Sequence, residues 1–152
     1  MLTPNQLRQA MITKAGKRWN TTPERRFNEY QISRHLSLMQ NQTVTFDAIA
    51  RDGGPFPATF QLDFARPRDW DCYSRTGFHD EKAGFSVDYE IDGEGHKDKN
   101  DPWKDSIKNA NGLKVIHIPG WLCHKDYWGN LDCAIPKALA SKKMTIHLEE
   151  IA

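Results

Sequence analysis

This chain of 152 residues has little cysteine, almost no net charge and no long apolar run. Its three cysteines, Cys72, Cys123 and Cys133, show no paired spacing. An odd, scattered set argues against a secreted disulfide framework and for a reducing compartment. No stretch approaches the roughly 18 consecutive apolar residues of a membrane-spanning helix. The N-terminal MLTPNQLRQAMITKAGKRW lacks an apolar h-region, so no secretory signal is expected and a cytoplasmic location is. No Ser-His-Asp pattern, P-loop or dinucleotide fingerprint occurs, which argues against those chemistries. Internal repeats and low-complexity segments are also missing.

The net charge of +1 conceals an uneven distribution. Residues 1–34 hold seven Lys/Arg against two acids, residues 63–105 hold twelve acids against seven bases, and residues 106–152 hold six bases against four acids. A basic arm beside an acidic centre suits a polyanion gripped at the periphery around a central metal. An ordinary uneven surface has the same composition.

Local signals give an order of elements. Thr3-Pro4 caps a first helix to about Ala15, followed by a basic linker with Lys17 and Arg18. Thr22-Pro23-Glu24 opens a second, whose apolar face (Phe27, Tyr30, Ile32, Leu36, Met39) carries it to about Gln40. Strands are expected at 43–49 and 59–64, then a polar, irregular stretch at 66–84. A strand at 85–92, a helix from Pro102 to about Asn109 and an apolar strand at 113–118 follow. An aromatic loop with Trp121, Tyr127 and Trp128, a short helix near 134–141 and a final strand at 144–148 complete the chain. A helix crossing between the 85–92 and 113–118 strands makes that pair parallel within a mixed sheet.

The most informative segment is Val87-Asp88-Tyr89-Glu90-Ile91-Asp92-Gly93-Glu94-Gly95-His96. Side chains alternate along a strand, so Asp88, Glu90 and Asp92 share one face. Three acids on one face repel unless a cation neutralises them, and carboxylate oxygens suit Mg²⁺ or Mn²⁺. The competing account is a solvated outer face.

Separated pieces resemble the PD-(D/E)xK, restriction-endonuclease-like superfamily, and within it the branch of very-short-patch repair endonucleases. They are Glu24 in P-E-R-R-F, Asp63-Phe64, Glu90-Ile91-Asp92-Gly93-Glu94-Gly95-His96, Lys104-Asp105 and Gly112-Leu113-Lys114-Val115. The likeness spans roughly residues 22–118. It implies an α/β fold with a restriction-endonuclease-like core, a mixed β-sheet flanked by helices in the order α-β-β-β-α-β. Residues 1–20 would form a basic helical arm and 21–152 the nuclease-like domain, with 119–152 as a C-terminal extension. The implied activity is metal-dependent hydrolysis of DNA phosphodiesters, structure- or mismatch-directed.

The chemistry such a reaction needs is available. Asp63, Glu90 and Asp92 are the candidate Mg²⁺ or Mn²⁺ ligands, with Glu24 an additional acid. The signature lysine two residues after the glutamate is absent, because Asp92 stands there. His96, Lys97 or Lys104 is the candidate replacement, and His96 has the ordinary pKa of a general base. Lys17, Arg18, Arg25, Arg26, Arg66, Arg68, Lys97 and Lys104 are the candidate DNA contacts. The expected partner is DNA, with no membrane, and a homodimer is compatible with the reading.

Rival readings are a non-catalytic nucleic-acid-binding protein with this fold, and an unrelated α/β interaction module with an exposed acidic strand. Zinc held by Cys123, His124 and Cys133 with Cys72, His79 or His117 is a minor alternative, since C-x-x-C and H-x₃-H spacings are missing.

Overall fold

A computed structural model of the chain describes residues 22–50, 52–93 and 102–152. The expected first helix, Lys17 and Arg18 of the basic linker, and the turn carrying His96 and Lys97 lie outside the described residues.

The first described helix, α1 (Thr22–Ser33), begins at the Thr-Pro-Glu signal with Glu24 in its first turn. It ends well before Gln40. His35 adopts a φ of 54°, Leu36 N–H donates to the Gln31 carbonyl at 3.0 Å, and His35 N–H donates to that of Ile32 at 3.1 Å. This pair of reversed bonds is a Schellman closure, made by histidine in place of the usual glycine. Ile32 is consequently exposed, and Met39 opens a strand instead of extending the helix.

Strands β1 (Met39–Ile49) and β2 (Pro55–Pro67) form an antiparallel hairpin, longer than the 43–49 and 59–64 runs. The stretch expected to be irregular contains a short helix, α2 (Trp70–Thr76), stopped by Gly77 at φ 73°, and a 3-10 turn at Glu81–Ala83. Strand β3 (Phe85–Asp92) has the expected bounds. Helix α3 (Pro102–Ala110) crosses to β4 (Lys114–Pro119). The aromatic loop is two 3-10 turns leading into α4 (Trp128–Ala140), which starts earlier than anticipated, and β5 is Thr145–His147. Lys114 Nζ donates to the carbonyls of Ala138, Leu139 and Ser141 at 2.6–3.1 Å, tying the end of α4 to β4.

The five strands form one mixed sheet in the order β1-β2-β3-β4-β5. The first two pairings are antiparallel and the last two parallel. The sheet has two unlike faces. On one, Phe27 and Tyr30 of α1 and Leu131, Ala134, Ile135 and Ala138 of α4 pack on Phe64, Tyr89, Ile91, Ile116 and Ile118. The rings of Phe27 and Phe64 meet edge to face at 4.9 Å. This is the main apolar core. The other face carries the alternate residues of β3 and β4, with α3 laid across them.

Candidate active site

Alternation along β3 sends Val87, Tyr89 and Ile91 into the apolar core and Asp88, Glu90 and Asp92 to the α3 side. The face is not solvated: Asp88 is 0% exposed and Glu90 7%. What neutralises them is a lysine of the chain itself. Lys108 of α3, buried to 5% exposure, places Nζ 2.8 Å from Asp88 Oδ2 and 3.2 Å from Glu90 Oε1.

Asp63 approaches from β2. Its Oδ2 accepts the Ile91 N–H at 3.0 Å, and its carboxyl lies against that of Glu90. The β1–β2 ladder skips Asn41 opposite Asp63, and Asn41 has a φ of 53°. At this irregularity Leu62 and Phe64, two apart on β2, enter different apolar clusters. A cleft of about 480 Å³ opens beside the cluster between β2 and α3. Asp63, Glu90, Lys104, Asp105 and Lys108 line it, with Phe60 and Trp103 among the apolar walls.

Crowding and burial set the protonation of this cluster. Burial, then the Asp88 charge, push the Glu90 pKa up to about 7, although Lys108 pulls the other way. Burial likewise raises Asp88. Burial works against the Lys108 ammonium, but Asp88 and Glu90 overcome it and hold its pKa above the ordinary lysine value. Asp88 Oδ1 is buried with no hydrogen-bond partner.

A second set of groups lies one step along the same face. Asp92 is turned toward His117 of β4, whose Nδ1 is 3.4 Å from Asp92 Oδ1. His117 Nε2 is 2.7 Å from Asp105 Oδ2 on α3. Burial opposes a charge on His117, but Asp105 and Asp92 prevail and raise its pKa to about 9. The ring stacks on His147 of β5, centroids 4.7 Å apart.

The three expected metal ligands are therefore divided. Asp63 and Glu90 meet at the cleft, whereas Asp92 faces His117. Glu24 sits in the first turn of α1, at the end of the sheet where Pro23 packs on Gly120. A Cβ on Gly120 would lie 2.9 Å from Pro23 Cγ and 3.3 Å from the Asp92 carbonyl, so only glycine permits this approach. Burial chiefly raises the Cys123 thiol pKa, and Asp92 and Glu24 add to it.

Of the candidate phosphate contacts, Arg25, Arg68 and Lys104 are exposed. Arg68 nonetheless donates to the Phe85 and Asn111 carbonyls, both at 3.2 Å, and Arg66 sits 5.0 Å over the Trp70 ring. Arg26 is half-buried, with Nη1 enclosed and lacking a hydrogen-bond partner. Among the described residues the cysteines join no group of three metal-capable side chains: Cys123 is buried and Cys133 exposed, and the group present there is Asp92, His117 and His147.

Sequence reasoning missed Lys108 and His147, and, although it named His117 as a candidate zinc ligand and Lys104-Asp105 as a family piece, it did not pair His117 with Asp105. One signal was present. Asp105 and Lys108 are three apart, hence on one helix face, and the helix follows directly on the acidic strand.

The fold and site together define an α/β protein with a mixed sheet and a buried acid–lysine cluster at a cleft. Comparison with protein-family models, curated proteins and solved structures finds no match to this chain. Among the described residues, no helix is long and apolar enough to cross a membrane.

Proposed function

We propose that the chain is a metal-dependent endonuclease with a restriction-endonuclease-like core, hydrolysing DNA phosphodiesters at the cleft between β2 and α3. The observation that carries this reading is the convergence of Asp63, Glu90 and Lys108 from two neighbouring strands and the crossing helix. The order of the main elements, three antiparallel strands and then a helical crossover to a parallel strand, supports the same core.

The donor set fits a hard cation. Mg²⁺ is commonly held by one or two carboxylates, with waters and substrate phosphate completing the shell, and Asp63 and Glu90 are two facing carboxylates at an open cleft. Bound there, Mg²⁺ or Mn²⁺ supplies Lewis acidity toward the phosphate and lowers the pKa of water. The chain's residues do the rest. Asp63 is held in place by the Ile91 N–H. Lys108 takes the charge-offsetting role of the missing signature lysine, from a helix instead of the strand. Lys104, one turn earlier and exposed at the cleft, meets substrate phosphate. His96, four residues beyond β3, is the proposed proton acceptor.

The second reading, a non-catalytic nucleic-acid-binding protein, has its own support. Lys108 already pairs with both Asp88 and Glu90, so part of their charge is offset without a cation. One panel separates the two: the full chain incubated with plasmid, mismatched and branched DNA in Mg²⁺, in Mn²⁺ and in EDTA. Cleavage is expected with metal only, and Asp63→Asn should abolish it while DNA binding persists. DNA binding without cleavage of any substrate would replace the endonuclease by the second reading.

A further inference from the structure

The Asp92, His117 and His147 group is chemically unlike the Asp63–Glu90 pair. It contains two imidazoles, which Mg²⁺ does not favour and zinc-class cations do. The three residues come from β3, β4 and β5, adjacent parallel strands. His117 and His147 are direct register partners, and His117 is also opposite Glu90, so the register places all three on the α3 face. Asp92 is the last residue of β3 and His147 the last of β5. The carboxyl ends of parallel strands are where open α/β sheets place their ligands.

We propose that Asp92, His117 and His147 bind a divalent transition-metal ion of the zinc class, with Asp105 as the carboxylate that orients His117. One potential ligand atom from each of the three lies within 4.8 Å of the others. The Asp105 carboxylate, 6% exposed and 2.7 Å from His117 Nε2, is the independent observation. A histidine that ligates a metal through one ring nitrogen almost always donates its other N–H to such a group, which fixes the tautomer and the ring. With Nε2–H committed to Asp105, His117 turns Nδ1 toward Asp92.

His147 supplies the adjustable ligand. Its ring lies within 9° of parallel to that of His117, and two parallel stacked rings cannot both aim a lone pair at one ion. His147 is partly exposed, and turning its ring toward a shared ion gives up the stack on His117 but no hydrogen bond among the described residues. Three protein ligands leave a position for water, the count of an open zinc site. This inference does not rest on the endonuclease reading.

The test uses the full chain stripped with EDTA and titrated with Zn²⁺ by calorimetry, with Co²⁺ absorbance reporting the ligand field. One ion per chain is expected, unaffected by a large excess of Mg²⁺. His147→Ala should weaken binding at least tenfold, and Asp105→Asn by 10–100-fold, the usual cost of losing an orienting carboxylate. The double variant Asp63→Asn, Glu90→Gln should bind Zn²⁺ as the wild type does, which separates this site from the cleft. Circular dichroism checks that each variant is folded. Since His147 is only partly buried, its alanine variant is the decisive one. Unchanged affinity in folded His147→Ala, or no Zn²⁺ binding by the wild type, would overturn the assignment.

Discussion

Glu90 is a carboxyl that folding makes harder to ionise, so its replacement should change how stability depends on pH. Burial and the neighbouring Asp88 raise its pKa from the ordinary 4.5 to about 7. Between those values the folded protein holds a proton that the unfolded chain has released. Stability then falls as pH rises, because the native state binds more protons there. At about 1.4 kcal/mol per pH unit the ceiling is about 3 kcal/mol, reached once pH exceeds the folded pKa. Asp88 and Lys108 titrate together with Glu90, so the observed loss should be smaller. Glu90→Gln keeps the shape and an acceptor for Lys108 but cannot ionise. In urea unfolding followed by tryptophan fluorescence, in EDTA, wild-type stability should fall from about pH 5 to about pH 7 more steeply than that of Glu90→Gln, in which the buried Asp88 still titrates. Both proteins should lose further stability at higher pH. His117, raised from 6.5 to about 9, contributes stability that is complete below the lower value and lost as pH passes the upper one. If Glu90→Gln declines as steeply as the wild type between pH 5 and 7, Glu90 is not the buried, proton-holding acid described above.

Lys108→Met should destabilise the protein by about 3–5 kcal/mol in the same urea assay at neutral pH, since it leaves Asp88 and Glu90 buried without their counter-charge; a loss under about 1 kcal/mol would mean that the acids find other compensation. Replacing Lys17, Arg18 and Arg25 together by Ala should flatten the salt dependence of DNA binding, by up to about 0.9 in log–log slope for each phosphate no longer neutralised. Fluorescence anisotropy over a salt series measures this, and an unchanged slope would place the DNA elsewhere. Arg26 is left out of that variant because its enclosed Nη1 would confound binding with folding.

Much of the fold was legible because β3, α3 and β4 have strong local signals. Strict alternation gives β3 its bounds, Pro102 starts α3, and Pro119 ends β4. The failures have local causes. At α1 a histidine takes the left-handed conformation that sequence rules expect of glycine, so the apparent apolar face beyond Ser33 misleads. The seven-residue α2 is too short for helical periodicity to register. At the site, the shared face of Asp88, Glu90 and Asp92 followed from period two alone. Their partners did not. Lys108 meets the acids only once the crossover helix is laid on that face, and His117 meets His147 only through the β4–β5 register, a pairing of residues thirty apart in the chain.

The unlike faces of the sheet have a consequence for how the molecule opens. Helices α1 and α4 are held mainly by hydrocarbon, with one polar tie where Tyr30 and Arg34 donate to Asp132 of α4. Helix α3 is fastened by Lys108 on two carboxylates and Asp105 on an imidazole, with Trp103 stacked on Phe56. Glu90 and His117 both hold their protons more tightly in the folded than in the unfolded chain, so it is rising pH, not acid, that unlatches α3 first. In hydrogen exchange at mildly alkaline pH, corrected for the intrinsic exchange rate, the amides of α3 should lose protection as a unit, ahead of α1 and α4, exposing the cleft by a sub-global opening rather than by unfolding.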